Sequence, residues 1–359
     1  MTNLFTTDIL LIILTLFFGS LFVTYYLIPK IINVVNHKEL MDSPNQRSSH
    51  IQLTPTFGGI SFFVILVFTL FFVNNFDSLD ISMNIVVALT ILLFTGLKDD
   101  LVVISSTSKL LGQLAAVVIF LFQTTYYEID LHGFLGIHEI QGFLGFFFTT
   151  FIMLSIINAF NLIDGIDGLA GSIAVIVLLF FGVIFYNIEH YFFTFICVAL
   201  IGSLIAFLKF NLSDKKKIFM GDTGSLIIGF VVAIMAVNFL SLSSGNLNKL
   251  TILPQNSIMV IAAILVVPLF DTLRVIILRI SNKKHPLQPD KNHIHHLLLD
   301  LGNSHKKSSV LIAVFSVIFS IVFLYLSTQI NDFWILLSLF VGSFFIFYGL
   351  FFQIAAQRK

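Results

Sequence analysis

Long apolar stretches recur along nearly the whole chain, and short polar segments separate them. A helix of about 20 apolar residues crosses a hydrocarbon core of roughly 30 Å and satisfies its own backbone hydrogen bonds there. These stretches are apolar on all sides instead of alternating, which favours helices over the strands of a membrane barrel. The pattern therefore predicts an all-α integral membrane protein with about eleven transmembrane helices. The approximate spans are 8–29, 57–75, 81–97, 108–123, 143–160, 168–187, 190–208, 225–242, 257–278, 309–328 and 334–354.

Composition agrees with this class. Hydrophobic residues make up 57% of the chain and charged residues 11%, whereas a soluble domain carries about a quarter charged residues. The single cysteine, Cys197, lies inside an apolar stretch, so we expect a structural role and no disulfide framework. We interpret residues 1–359 as one polytopic domain, and we expect the first span to be retained because no Lys or Arg precedes it.

The basic residues orient the predicted helices. With these spans, all of the 19 Lys and Arg residues except Lys249 fall toward one side. The positive-inside rule makes that side cytoplasmic, which places the N-terminus outside and the C-terminus inside. The longest outer loop, 124–142, alternates partly between apolar and polar residues and predicts a β-hairpin.

Two adjacent carboxylates, Asp99 and Asp100, stand at the inner end of the third span, and Lys109 follows. Neighbouring carboxylates repel each other, and this is costly at a membrane boundary unless they share a cation or a proton. The pair indicates either a base or a metal-associated carboxylate, and the alternative is a solvated helix end.

A second polar segment carries Asn158, Asn161, Asp164 and Asp167 at intervals of three residues. Side chains three residues apart lie close together on a helical surface. Such a density of hard oxygen ligands suits Mg²⁺ or the hydroxyl groups of a sugar.

A third segment, Phe219–Ser225, precedes the eighth span. Gly221 and Gly224 let the backbone approach a ligand, and Ser225 is expected to cap the following helix. The N-terminus of that helix would favour an anionic diphosphate, whereas Asp222 would repel it unless a cation bridges them. An ordinary capped turn remains the alternative.

The last segment contains three histidines within four residues, His293, His295 and His296. Contact with phosphate oxygens, a structural role and zinc binding all stay open, although no regular zinc spacing accompanies them. A basic segment, 47–50, followed by Gly58 and Gly59, is by itself only an orientation signal.

A transporter is the alternative from another functional class. Its ionisable residues should lie near the middle of the membrane, whereas most carboxylates here lie at span ends. Asp271 and Arg274 are the deepest charges, and their spacing of three residues predicts that they pair on one helical face. This arrangement disfavours transport.

Taken together, DD, NxxNxxDGxDGLA, FMGDTGSL and HIHH occur in this order between about residues 47 and 296. The set resembles the polyprenyl-phosphate N-acetylhexosamine-1-phosphate transferase family (glycosyltransferase family 4), in particular its bacterial undecaprenyl-phosphate GlcNAc-1-phosphate transferase branch. The resemblance implies transfer of a sugar 1-phosphate from a UDP-N-acetylhexosamine to undecaprenyl phosphate in the bacterial inner membrane, with release of UMP at the cytoplasmic face. It implies Mg²⁺ as the cofactor, with Mn²⁺ as a substitute, and no nucleic-acid partner; a homodimer is compatible with it.

The resemblance also implies roles for individual residues. The catalytic positions are Asp99, Asp100 and Asp164, the substrate-binding positions are Lys109, Asp167, Phe219, His293, His295 and His296, and the metal positions are Asn161 and Asp222. Asp99 matches the carboxylate proposed to deprotonate the lipid phosphate, Lys109 a basic residue that contacts the diphosphate, and Phe219 an aromatic ring that stacks on uracil.

The HIHH pattern and the eleven predicted spans resemble the GlcNAc-1-phosphate branch of the family, and this resemblance implies UDP-GlcNAc as the donor. Another UDP-N-acetyl sugar, such as an N-acetylated fucosamine or quinovosamine, is the runner-up, and phospho-MurNAc-pentapeptide is a further alternative. The expected determinant of donor choice is the variable loop 281–290.

Overall fold

The computed structural model describes residues 2–38, 41–42, 54–76, 79–122, 124, 126–283 and 292–356. Most of them are helical. The helices α1 to α14 are Thr2–His37, Gly59–Val73, Leu79–Leu101, Ser106–Phe122, Gly142–Ile163, Leu169–Asn187, Tyr191–Asn211, Gly221–Leu240, Ser244–Lys249, Ser257–Ile264, Val266–Ser281, Ile294–Asp300, His305–Gln329 and Phe333–Ala356. The strands β1 to β4 are Met41–Asp42, Thr54–Pro55, Ile129–Phe134 and Ile137–Ile140.

Each of the eleven predicted spans coincides with a helix or, at 257–278, with a pair of helices. The count of eleven membrane crossings is nevertheless not confirmed. Within the described residues, seven helices are long and apolar enough to cross a membrane, or up to eight if the pair α10–α11 forms one span. The helices α2 and α4 have only 15 and 17 residues. A helix of 15 residues reaches only about 22 Å, which is less than a hydrocarbon core.

Helix α8 lies at the centre of the bundle. Every residue from Thr223 to Leu240 is buried, and the helix packs against α2, α3, α5, α6 and α10. Its sequence is apolar around the whole circumference, as expected for a helix that is surrounded by other helices. The long helix α1, in contrast, buries few of its side chains between residues 8 and 37, as a helix against lipid does.

Two glycines allow α2 and α3 to approach the first turn of α8. A Cβ atom on Gly59 would lie 2.2 Å from the nitrogen of Gly224, and one on Gly96 would lie 2.4 Å from Cα of Thr223. Contacts this close between backbones require small residues on the facing helix, as is common between helices in membranes. They fix where α8 begins relative to the end of α3.

The predicted ninth span is not one straight helix. Helices α10 and α11 meet at Leu265 with a bend of 77°. Pro268 lies in the first turn of α11, where it has no N–H for the carbonyl group four residues earlier and its ring crowds that carbonyl. A helix that reaches such a proline kinks or breaks before it.

The expected hairpin at 124–142 is confirmed. Strands β3 and β4 pair antiparallel with Phe134 opposite Ile137, and the turn residues Leu135 and Gly136 both have positive φ. The pairing of β1 with β2 is a second short ladder that the sequence did not predict. In chain order, β3 and β4 follow the end of α4. The opposite end, where α3 and α5 end and α4 and α8 begin, is called the polar end below.

Candidate active site

A lysine ammonium group joins four helices at the polar end. Lys109 Nζ lies 3.0 Å from Asp99 Oδ2 and 3.1 Å from Asn161 Oδ1. It also forms an ion pair with Asp222 Oδ1. These residues come from α4, α3, α5 and α8, so the carboxylate pair, the Asn-Asp segment and the Gly-Asp segment meet at one cation. The Asp99 side chain is 10% exposed and that of Asp222 is 32% exposed, which makes Asp222 the more accessible carboxylate.

The turn between α3 and α4 holds Asp99 in place. Its Oδ1 atom accepts a hydrogen bond of 3.0 Å from the amide of Ile104. This bond holds the short connection between α3 and α4 in a tight turn. The turn brings Lys109, in the first turn of α4, next to the Asp99 carboxylate. One oxygen of Asp99 therefore supports the local fold, while the other faces the lysine.

Asp100 has a different task. Its carboxylate accepts hydrogen bonds from the amide of Asp222 at 2.7 Å and from the amide and hydroxyl of Thr223 at 3.1 and 2.7 Å. It therefore caps the N-terminus of α8 from a neighbouring helix, and it complements the positive end of that helix's dipole. Gly221 is needed beside it, since its φ is +71° and a Cβ atom would lie 2.7 Å from both carboxylate oxygens.

Two expectations about this segment are wrong. Helix α8 begins at Gly221, so Ser225 lies in its second turn and does not cap it. The amides of Asp222 and Thr223 donate to Asp100, so they are not available to a diphosphate. Because α3 packs tightly against the first turn of α8, Asp100 of α3 caps this helix in place of Ser225.

Asn161 connects the lysine with α8. Its Oδ1 atom faces Lys109, and its Nδ2 atom donates to Asp222 Oδ1 at 2.5 Å and to Ser225 Oγ at 2.8 Å. One turn earlier, Asn158 bonds to Gln113 on α4 and stays outside this cluster. Ser225 thus orients the Asn161 amide group, and that amide group in turn orients the Asp222 carboxylate.

Asp164 follows the last residue of α5. Burial, together with the carboxylates of Asp222 and Asp100, raises the pKa of Asp164 to about 8. Among the described residues, no hydrogen bond or ion pair reaches its carboxyl group. The group is therefore mostly protonated at pH 7, and an additional cation at this place would favour its ionised form.

Asp167 lies next to a second basic group. Its Oδ2 atom is 2.7 Å from Lys217 Nζ and 3.3 Å from His305 Nδ1, and its carbonyl oxygen accepts a bond of 2.6 Å from Ser309 Oγ. The ammonium of Lys217 also lies 5.3 Å from the centroid of the Phe219 ring. Asp167 and Phe219, both predicted to bind substrate, therefore lie on two sides of the Lys217 ammonium.

Backbone pairing positions Phe219. Its amide donates to the Pro55 carbonyl at 2.8 Å, and its own carbonyl accepts from the amide of Gly58 at 3.0 Å. Asn211 ties the neighbouring segments together, because its amide group accepts from Gly168 N–H at 2.6 Å and donates to Ile218 O at 2.9 Å. Residues 54–59 thus have a positioning role, whereas Arg47 to His50 lie outside the described residues, as does most of the loop 281–290.

The three histidines have unequal access. His293 and His295 are buried, while His296 is half-buried. Burial lowers the pKa of His295 to about 3, so this ring is neutral at neutral pH. His295 packs against the backbone of Gly165, where a Cβ atom would lie 2.2 Å from its Nε2 atom. A neutral, buried His295 therefore does not match the expected contact with phosphate oxygens.

The residues that meet at the Lys109 ammonium lie within the region that known proteins share with this chain. The profile described as Glycosyl transferase family 4 matches residues 81–240. An undecaprenyl-phosphate alpha-N-acetylglucosaminyl 1-phosphate transferase of Escherichia coli K12 is 30% identical over 313 residues, which cover 86% of this chain and 82% of that protein. A probable undecaprenyl-phosphate N-acetylglucosaminyl 1-phosphate transferase of Bacillus subtilis 168 is 31% identical over 311 residues and covers 86% and 83%.

The chain belongs to glycosyl transferase family 4. It is a multi-pass membrane enzyme of the sugar-1-phosphate transferase class, as the ordered motifs predicted.

The donor set of this glycosyl transferase family 4 site fits a hard cation. Among the described residues, no three His, Cys, Asp or Glu side chains form a ready metal site. Mg²⁺, however, commonly takes one or two carboxylates and completes its shell with water and substrate phosphates. Asp222 offers a partly open carboxylate and Asn161 an amide oxygen, and these two side chains already hold the positive charge of the Lys109 ammonium between them.

Sequence reasoning missed several residues of this glycosyl transferase family 4 site. Lys217 and His305 surround Asp167, and Asn211 links the loop after α5 to the segment before α8. For Lys217 the sequence holds a signal, because this residue stands two positions before Phe219 and its side chain is therefore expected near that ring. No pattern in the sequence connects His305 with Asp167, because 138 residues separate them.

Proposed function

We propose that this enzyme transfers GlcNAc 1-phosphate from UDP-GlcNAc to undecaprenyl phosphate and releases UMP, at the cytoplasmic face of the bacterial inner membrane. The observation that carries the proposal is the meeting of Asp99, Asn161 and Asp222 at the Lys109 ammonium. Three distant motifs form one small site for a charged group at the polar end, and the predicted basic loops lie on the same side of the predicted spans. The names of the relatives support both the acceptor lipid and the donor sugar.

The chemistry of the site suits phosphoryl transfer. This reaction depends mainly on alignment and on neutralisation of the phosphate charge, not on covalent machinery. Mg²⁺, when bound by Asp222 and Asn161, supplies charge neutralisation at the diphosphate. The remaining contributions come from side chains of the chain itself.

Lys109 and Asp99 act on the reacting groups. An oxygen of the lipid phosphate attacks the sugar-linked phosphorus, a new P–O bond forms, and the bond to the UMP oxygen breaks. The ammonium of Lys109 can donate to a phosphate oxygen as negative charge moves to the leaving group. Asp99 mainly orients the attacking phosphate, because a phosphate monoester with a second pKa of about 6 is already largely deprotonated at neutral pH.

The nucleoside end is proposed to bind next to Phe219. The uracil ring stacks on this phenyl ring, and Asp167 and Lys217 offer an acceptor and a donor for the ribose or base. Their mutual ion pair of 2.7 Å keeps both side chains at the edge of the ring. Such a site selects the nucleotide but not the sugar.

The donor sugar is tested by competition. Purified enzyme, undecaprenyl phosphate and radiolabelled UDP-GlcNAc are mixed with an excess of unlabelled UDP-GlcNAc, UDP-N-acetylfucosamine, UDP-N-acetylquinovosamine or UDP-MurNAc-pentapeptide. We expect unlabelled UDP-GlcNAc to suppress labelling of the lipid most strongly. A lower inhibition constant for another donor would replace GlcNAc while leaving the reaction type in place.

A further inference from the structure

A buried ion pair on α11 lies directly behind the first histidine of the HIHH segment. Arg274 Nη2 lies 3.2 Å from Asp271 Oδ1, which confirms the predicted pairing of these two residues. Both side chains are only 2% exposed. A charge pair shut off from water loses much of its hydration, so its net contribution to stability is small, and another role has to be considered.

The oxygens of Asp271 are directed at the histidine segment. Its Oδ2 atom lies 2.8 Å from His293 Nδ1, and its Oδ1 atom accepts a hydrogen bond of 2.9 Å from the amide of Ile294. Arg274 additionally donates to the carbonyl oxygen of Asn292. Three consecutive residues, 292 to 294, are therefore held by two side chains of one helix.

This contact fixes the orientation of the His293 ring. A carboxylate at Nδ1 keeps a proton on that nitrogen, as a carboxylate behind a catalytic or metal-binding histidine does. Among the described residues, no hydrogen bond reaches Nε2. That edge of the ring is thus the one that can meet a ligand.

The contact between Asp271 and His293 is linked to the loop after α5 through the ring of His295. The ring of His293 stacks nearly parallel on His295, with 5.7 Å between centroids and 10° between planes. His295 in turn packs against Gly165, next to Asp164. A shift of Asp271 would therefore move both histidines relative to the carboxylates of the polar end.

We propose that Asp271, held by Arg274, is a positioning residue that fixes the His293 ring and presents its Nε2 edge to the diphosphate of the bound nucleotide sugar. The identity of that ligand rests on the proposed function. The orientation of the ring rests on contacts of the described residues alone.

The kinetic test uses the isosteric variant Asp271→Asn in the purified full-length enzyme. Its amide group would donate to Nδ1 and reverse the tautomer of His293, so we expect kcat to fall about 10- to 100-fold. Thr272→Val is the matched control, since the adjacent Thr272 hydroxyl is buried without a hydrogen-bond partner in the described structure. We expect this control to keep the wild-type kcat, and wild-type kcat in Asp271→Asn would overturn the proposal.

A double-mutant cycle separates positioning from a general loss of structure. In the background of His293→Ala, Asp271→Asn should change kcat by less than about twofold, because the group on which it acts is gone. A loss by the same factor in both backgrounds would contradict the inference, since a structural defect does not depend on His293.

A measurement without substrate keeps this inference distinct from the proposed function. If the wild type transfers no sugar phosphate, the proposed function fails before any variant is compared. Amide exchange in ligand-free protein still reads the positioning: Asp271→Ala should speed exchange of the Ile294 amide by about tenfold and leave the α8 amides protected. Unchanged exchange at Ile294 would refute the positioning role.

Discussion

The carboxylate of Asp100 accepts two hydrogen bonds from Thr223, one from its amide at 3.1 Å and one from its hydroxyl at 2.7 Å. The preceding residue, Asp99, instead faces the ammonium of Lys109 at 3.0 Å. Two adjacent acids that look equivalent in the sequence are thus divided between supporting a helix and lining the site. Substitution of Asp100 should therefore lower the stability of the protein, whereas substitution of Asp99 should mainly abolish transfer.

Asp100→Ala is expected to destabilise the protein by roughly 1 to 3 kcal/mol, because it leaves buried donors of α8 without an acceptor. The thermal unfolding midpoint in detergent measures this loss. Asp99→Ala, the matched variant, should unfold closer to the wild type and yet transfer no sugar phosphate. Equal midpoints for Asp100→Ala and the wild type would show that the cap is not important.

Lys109→Met should reduce transfer by about 100-fold or more, since a preorganised donor at the developing charge is lost. The same substitution should tighten binding of Mn²⁺ to nucleotide-free enzyme, because the ammonium no longer competes for the carboxylates. Electron paramagnetic resonance of free Mn²⁺ measures this affinity. Lys98→Met, at an exposed neighbouring lysine, is the control, and weaker Mn²⁺ binding by Lys109→Met would contradict the assignment of Asp222.

Gly59→Ala should destabilise the bundle by about 1 to 3 kcal/mol, since its methyl group would lie 2.2 Å from the backbone of Gly224. Gly19→Ala in α1 is the matched control, as nothing lies within 4 Å of its Cβ position. Thermal unfolding should separate the two variants clearly. A similar midpoint for both would mean that α2 does not pack this closely against α8.

The neutral state of His295 predicts a pH dependence of stability. Its folded-state pKa of about 3 lies below the ordinary 6.5, so the unfolded chain takes up a proton that the folded protein does not. Stability therefore declines as the pH falls below about 6.5, and the decline continues to about 3. When the pH is lowered from about 7 to about 4.5, the thermal unfolding midpoint of the wild type should fall further than that of His295→Gln. An equal loss would argue against a buried neutral ring.

Much of the candidate site followed from the sequence. Asp99, Lys109, Asn161 and Asp222 lie at the inner ends of predicted spans, so alternation of the helices across a membrane already placed them at one end. Spacing alone could not decide which of Asp99 and Asp100 faces the lysine. Adjacent residues point about 100° apart on a helix, and the choice depends on how α3 packs against α8.

The fold departed from prediction where tertiary contacts act. The hydropathy of 257–278 is continuous, and only the geometry around Pro268 reveals a bend of 77°. The sequence left phosphate contact, a structural role and zinc binding open for the histidines, and it did not show that Asp271, 22 residues before His293, contacts that ring. Apolar stretches also do not reveal the lengths of their helices, such as the 15 residues of α2, and the eleven predicted membrane crossings are not confirmed.

The stoichiometry of UMP release tests the central claim most directly. Purified enzyme is incubated with undecaprenyl phosphate, UDP-GlcNAc and Mg²⁺, and the nucleotide product and the lipid-linked sugar are quantified together. The wild type is predicted to release one UMP for each labelled lipid, and Asp222→Asn is predicted to release almost none. Release of UDP instead of UMP, or wild-type turnover by Asp222→Asn, would contradict sugar-phosphate transfer at this cluster.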